Sequence, residues 1–292
     1  LHLMDETVTS MGGRMLRRWL TFPLLNVADI NRRLDQVEVL HRGAGLRHNL
    51  RELLGRVSDL ERLNARVIAR SANARDLFAL RQSLERIPLL TEALAQEDLP
   101  PLEPFTRLDA CADATALIAR ALADDPPAAV KEGGMMRDGY NTELDELIVL
   151  CREGKGFIAR LEADERRKTG INSLKVRYNK VFGYFIEVTR SNLASVPDHY
   201  IRKQTLTGAE RFITPELKEY ESKVLGAEER RVELEYELFV EVREQIAAVQ
   251  HRIKRVAIEL ADGTLEVTTT DNGAKAEGAV RAFREGAATP VN

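Results

Sequence analysis

Apolar positions recur every three to four residues through most of the chain, and every second residue in one stretch past its middle. Met15, Leu16, Trp19 and Leu20, then Ile30, Leu34, Val37 and Leu40, then Leu50, Leu53, Val57, Leu60, Leu63 and Val67, then Leu77, Leu80, Leu84 and Ile87 each trace the apolar stripe of an amphipathic helix. Breaks fall at Phe22-Pro23, Arg42–Gly45, Ser71–Ala74, Leu99–Pro104 and Asp124–Gly134, so the pattern predicts a body of helices joined by loops. Asn141 is placed to cap a longer helix, in which Leu144, Leu147, Ile148, Cys151, Phe157, Ile158 and Leu161 keep the helical period until Gly170 interrupts it. A second long helix should start at Thr214-Pro215-Glu216: a hydroxyl at the cap, a proline where no amide partner is needed, and an acid near the positive end of the dipole. Leu217, Tyr220, Val224, Leu234, Leu238, Val242, Ile246, Val249, Ile253, Val256 and Leu260 form its stripe, with Gly226 as the weak point. As one helix it would run roughly 45 residues, or about 67 Å at ~1.5 Å per residue.

Between these two helices the period changes to two. Leu174, Val176 and Tyr178 alternate with Lys175, Arg177 and Asn179, and Phe182, Tyr184, Ile186 and Val188 alternate with Gly183, Phe185, Glu187 and Thr189. Asn179–Gly183 is the expected turn of this pair. Tyr200–Leu206 and Ala209–Ile213 read as a second pair joined at Thr207-Gly208, where glycine can supply a positive φ. The fold class expected is therefore mainly α: a helical core with two long antiparallel helices, and a small four-stranded antiparallel sheet inserted at their far end. An antiparallel coiled coil with a decorated tip would share this pattern.

Charge sharpens the picture at the sheet. Leu174–Phe212 carries Lys175, Arg177, Lys180, Arg190, Arg202, Lys203 and Arg211 against Glu187, Asp198 and Glu210, seven cations to three anions, on a chain whose formal net charge is −3. A small surface with that excess gains affinity for a polyanion by releasing its counterions. The same charges would also serve solubility and protect exposed strand edges. The strand-end and loop positions Lys180, Arg190, Asn192, Lys203, Thr205 and Thr207 are the candidate phosphate contacts, by charge or by neutral hydrogen bonds. Tyr178, Tyr184, Phe212 and Tyr220 are expected in the core of the sheet and its join to the helix rather than as stacking platforms, which single-strand binding would require.

With 44% hydrophobic and 30% charged residues in 292, the chain has enough apolar material for a sizeable core and much exposed helix. It has no signal-peptide pattern and no apolar run long enough for a membrane, and Cys111 and Cys151 stand far apart, suggesting neither a disulfide nor a metal site. A reducing cytoplasm is the expected compartment. The adjacent Asp198 and His199 could suggest acid–base chemistry, but no third group accompanies them and adjacency in a loop does not aim two side chains at one substrate.

Several motifs together resemble a known family. Thr7-Val-Thr-Ser-Met-Gly-Gly-Arg14-Met-Leu16-Arg-Arg-Trp19 followed by Pro23-Leu24, then Asp59-Leu60-Glu61-Arg62, then Asp138-Gly-Tyr140-Asn141 with Glu143-Leu-Asp145-Glu146, are similar to the core domain and descending lever helix of the MutS family of DNA mismatch-repair proteins. Leu174-Lys-Val-Arg-Tyr-Asn179, Gly183-Tyr184, Tyr200-Ile-Arg-Lys-Gln204-Thr205-Leu206 and Ala209-Glu-Arg211-Phe-Ile-Thr-Pro215-Glu-Leu-Lys-Glu-Tyr220 resemble that family's clamp. Arg177 stands where the family often has glycine. The resemblance covers about residues 3–262. It implies that two such levers, one per subunit, reach around duplex DNA and that the clamp grips its backbone without reading bases. It also implies partners: double-stranded DNA with mismatches or small loops, a second MutS-like subunit, and a downstream mismatch-repair protein.

On this reading residues 1–170 form the core and first lever helix, 171–230 the clamp with the start of the next helix, and 231–262 the second lever helix. Residues 263–292, rich in Gly, Thr and Ala, form an atypical tail where the family continues toward its ATPase. No Gly-x-x-x-x-Gly-Lys-Ser/Thr loop occurs, no aromatic-x-Glu wedge module precedes the core, and the sequence starts at Leu1 within a motif. The chain is thus expected to be a middle fragment without cofactor or catalysis of its own, ATP and magnesium belonging to an ATPase domain outside it. The competing expectation is a helical connector without DNA affinity.

Overall fold

Thr9 and Arg14 show how local signals place the first helix. The Thr9 hydroxyl accepts from the Gly12 amide at 3.1 Å, and Arg14 reaches across to Asp59, Nη1 to Oδ2 at 2.8 Å, and to Glu61. Two motifs far apart in sequence are thereby joined. The Arg14 guanidinium also holds the Asp59 carboxyl below its usual range, against the opposing effect of burial. Asp59 itself caps the next helix but two, accepting from the Arg62 amide at 3.0 Å.

The structure, a computed structural model, describes residues 5–95, 100–128, 133–179 and 183–262. The 263–292 tail, Lys180 and parts of two expected loops lie outside these. The helices are α1 (Ser10–Thr21), α2 (Val27–Arg42), α3 (Ala44–Leu54), α4 (Leu60–Ile68), α5 (Ala74–Leu84), α6 (Ile87–Ala95), α7 (Ala112–Ala121), α8 (Thr142–Thr169), α9 (Pro215–Ala248) and α10 (Gln250–Asp262). Strands β1 (Lys175–Asn179), β2 (Gly183–Thr189), β3 (Ile201–Thr205) and β4 (Ala209–Ile213) lie between α8 and α9. The architecture is mainly α with a small inserted antiparallel sheet, as the alternation of periods predicts.

The chain divides into two units, Leu1–Ala128 with Phe239–Asn292, and Ala129–Leu238. In the first, Met11, Leu40, Leu50, Leu60, Leu77, Leu84, Ile118, Phe239, Ile253 and Leu260 are almost fully buried, and α10 packs on α4 and α1. In the second, α8 and α9 run antiparallel: Glu143 near the start of α8 pairs with Arg230, while Phe157 further along stacks on Tyr220, with ring centroids at 3.7 Å. Asn141 caps α8 through the Leu144 amide at 2.9 Å, and Thr214 caps α9 through the Leu217 amide at 3.2 Å. Gly170, at φ 70°, ends α8 in the left-handed conformation that glycine adopts without penalty.

Three expectations are corrected. The second long helix is not continuous to Leu260, because the backbone tightens at Val249, whose amide bonds to Ile246 and whose carbonyl accepts from Arg252. The buried Asn64 donates to the Gln250 carbonyl there at 3.2 Å, a partner 186 residues away that no local pattern announces. Gly208 does not take a positive φ; Gly183 does, at 75°. Tyr178 is half exposed rather than core, its ring packed at 5.1 Å from that of Tyr184 at the end of the sheet.

Candidate nucleic-acid interface

The sheet has the strand order β1-β2-β4-β3, with every neighbouring pair antiparallel. Val176, Tyr184, Ile186, Val188 and Phe212 share one face and pack with Leu161 and Tyr200 against the end of α8. Polar contacts fix the same joint. Glu162 Oε2 accepts from the Val176 amide at 2.8 Å, Arg166 Nε donates to the Leu174 carbonyl at 2.7 Å, and the Tyr200 hydroxyl donates to the buried Glu165. Burial opposes ionisation of Glu165, yet its bonds from Lys168 and Tyr200 outweigh that and hold the carboxyl below the usual range.

The opposite face carries a polar row across all four strands. The register places Lys175 beside Glu187, Glu187 beside Arg211, and Arg211 beside Gln204. Arg211 Nε lies 3.2 Å from Glu187 and its Nη1 2.8 Å from Gln204 Oε1, with the guanidinium over the Phe185 ring. Arg177 approaches the same Glu187 at 3.7 Å, and Arg202 pairs with Glu210 at 2.9 Å. Three of the seven cations are therefore partly neutralised. Lys175, Arg190 and Lys203 are exposed and form no ion pair among the described residues.

Lys175 and Lys203 lie on the two opposite edge strands, and Arg190 lies at one end of the sheet. Lys203 is the extra residue of a bulge, since Arg202 faces Phe212 while Gln204 faces Arg211. A bulge leaves its residue out of the ladder and re-aims its side chain. Arg190 starts a 3-10 turn (Arg190–Ser195) that follows β2 directly, and its amide donates to the Gly208 carbonyl at 3.1 Å, which ties it to the turn holding Thr207. Thr205 closes β3 and is exposed, as is Thr207. The Asn192 amide is already used, donating to Ser173 Oγ at 3.0 Å and Thr189 Oγ1 at 3.1 Å; the neutral donors of this corner are the hydroxyls around it. Lys180 belongs to the connection between β1 and β2, outside the described residues.

Lys175 faces Glu187 in the register, yet that carboxylate is engaged by Arg177 and Arg211, which adds Lys175 to the exposed cations the strand pattern does not single out. Asp198 and His199 lie in an exposed loop, the imidazole edge-on to Tyr200 at 5.1 Å. Among the described residues no group of three or more His, Cys, Asp or Glu side chains is placed to hold a metal ion, and no helix is long and apolar enough to cross a membrane.

Residues 1–263 match the family model described as MutS domain III. The DNA mismatch repair protein MutS of Acetivibrio thermocellus is 50% identical over 263 residues, covering 89% of this chain and 30% of that protein. That of Brevibacillus brevis is 52% identical with the same coverage, and that of Symbiobacterium thermophilum is 53% identical over 264 residues, covering 90% and 30%. The chain thus spans about a third of the length of these relatives.

Proposed function

The chain belongs to the MutS family, and from that premise we propose that it is the core, lever and clamp region of a DNA mismatch-repair protein, gripping duplex DNA through its backbone. The observation that carries this reading is the set of exposed cations without ion-pair partners among the described residues: Lys175 on edge strand β1, Arg190 beside the β3–β4 turn, and Lys203 in the bulge of the other edge strand, β3. Side chains of this kind meet phosphate oxygens, whose positions are the same for every sequence. They position a duplex and leave the base edges unread. In the assembled protein two such modules would face one another around the duplex, one from each MutS-like subunit. Recognition of a mispaired or looped-out base, nucleotide hydrolysis with ATP and magnesium, and recruitment of a downstream repair partner would belong to segments outside this chain. The bacterial cytoplasm, at the nucleoid, is where such a protein would work.

The helices carry the second half of the proposal. α8 and α9 are 28 and 34 residues long, and α8 is joined to the sheet by the contacts of Leu161, Glu162, Glu165 and Arg166, which fix the sheet on the end of that helix. A rigid joint of this kind would let DNA grip and a distant nucleotide site influence one another. The competing view, a connector without DNA affinity, makes the opposite forecast for the same experiment. Fluorescence anisotropy with a matched duplex and with one carrying a single mismatch should give equal affinities for this chain. A preference for the mismatch, or no binding to either at low salt, would contradict the backbone-grip reading.

A further inference from the structure

Away from the sheet, a cleft of about 350 Å³ opens between α4 and the α9–α10 junction, lined by Val67, Ile68, Arg70, Arg243, Glu244, Ala247 and Gln250. Two features of its walls lack a structural explanation. Arg243 is more than nine-tenths buried, yet among the described residues no carboxylate pairs with it. Its Nη1 makes one long bond, 3.4 Å to the Ala72 carbonyl, its guanidinium lies 5.5 Å from the Phe239 ring centroid, and its Nε has no partner. A buried guanidinium without an anion is costly, and arginine presents its donors in a fork suited to a carboxylate.

The second is Arg70, which takes φ 56° just past the end of α4. Glycine is the residue that occupies this left-handed position without strain, so an arginine there is retained against its own backbone preference. Its guanidinium meets Glu244 at 3.6 Å on the rim, both side chains largely exposed.

We propose that this cleft is a docking site for an acidic peptide segment of a partner protein, in which an Asp or Glu stands beside an aliphatic residue. The carboxylate answers Arg243 and draws Arg70 away from Glu244, and the aliphatic side chain covers Val67, Ala247 and Ile68, the last of which is 53% exposed. Guanidinium groups beside an apolar wall fit an acidic peptide, which brings a carboxylate and an aliphatic side chain together. Duplex DNA is disfavoured because Glu237, Glu241 and Glu244 are exposed along this part of α9.

The test uses peptides enriched from a display library of short random sequences on the full chain, with counter-selection on Arg243→Met. The survivors should carry Asp or Glu directly beside Leu, Ile or Val, and amidating that acid (Asp→Asn) should weaken binding about tenfold or more, the loss expected for one charge-assisted pair. Arg70→Gly separates binding from folding: relief of the left-handed strain should keep or raise the thermal midpoint while peptide affinity falls. Peptides without an acid, equal affinity for the parent, Arg243→Met and Arg70→Gly, or no survivors at all would overturn the proposal and leave a cleft that holds water. Displacement of the peptide by duplex would reassign the cleft to nucleic acid. None of these outcomes depends on the sheet's grip on DNA.

Discussion

At Gly183 the backbone stands at φ 75°, and a Cβ there would run into the Glu221 carboxylate. Gly183→Ala should therefore cost about 1–3 kcal/mol in urea unfolding, from strain and displacement of a buried acid. Gly208→Ala should stay within about 0.5 kcal/mol, because its φ is ordinary and no atom lies within 4 Å of the new methyl group. The sequence suggested the reverse assignment, since a Thr-Gly step between two strands looks like the tighter turn. What decides is the approach of α9 to the start of β2, which is a tertiary fact. Charge behaves likewise. Arg252 reaches both Asp109, at 2.7 Å, and Asp113, at 2.8 Å, and this bond, with a further one from the Cys111 amide, lowers the Asp109 carboxyl to about 2. A carboxyl depressed in the folded state contributes stability above its unfolded value near 3.9, and that contribution is lost as pH falls toward 2. Stability measured between about pH 5 and 2 should accordingly fall less steeply in Asp109→Asn than in the parent, with the difference reduced by the exposure of this pair; parallel curves would show that the bond does not persist in solution.

Elements were legible where their signals are local. The caps Asn141 and Thr214, the stop at Gly170 and the four strands all follow from neighbours in sequence, and Thr214→Ala should cost about 1 kcal/mol as a lost cap. The joint between α8 and the sheet was not legible, because it is made by Glu162, Glu165 and Arg166, which a helical reading assigns to the solvent side. Tyr200→Phe tests it: with its hydroxyl gone, the buried Glu165 carboxylate loses a hydrogen-bond donor, and unfolding should be easier by about 1–3 kcal/mol. No change would mean that the apolar cluster alone holds the sheet. The break at Val249 and the 3-10 turn after β2 were missed for the same reason. Neither contains a glycine or a proline, and each is held by a distant partner, Asn64 in one case and Gly208 in the other.

For the whole molecule, the contrast that matters is between a formal net charge of −3 and the local excess of cations on the inserted sheet. A chain that is acidic overall is repelled by DNA except where such an excess is concentrated, so binding should be confined to the sheet and weaken with salt. The resemblance to the MutS clamp was legible in the motifs, whereas the division of its cations into paired and unpaired ones needed the side-chain contacts between strands, since Arg177 and Arg202 pair diagonally while Lys175 faces Glu187 without pairing. The measurement that bears most directly on this is anisotropy of a labelled duplex against the chain across a salt series, beside a Lys175→Ala, Arg190→Ala, Lys203→Ala variant. The parent should show log affinity falling linearly with log salt, and the variant a slope shallower by roughly 0.9 for each phosphate contact removed. Equal slopes would mean that these cations are solvated rather than in contact, and the absence of binding at low salt would mean that this region does not hold DNA by itself.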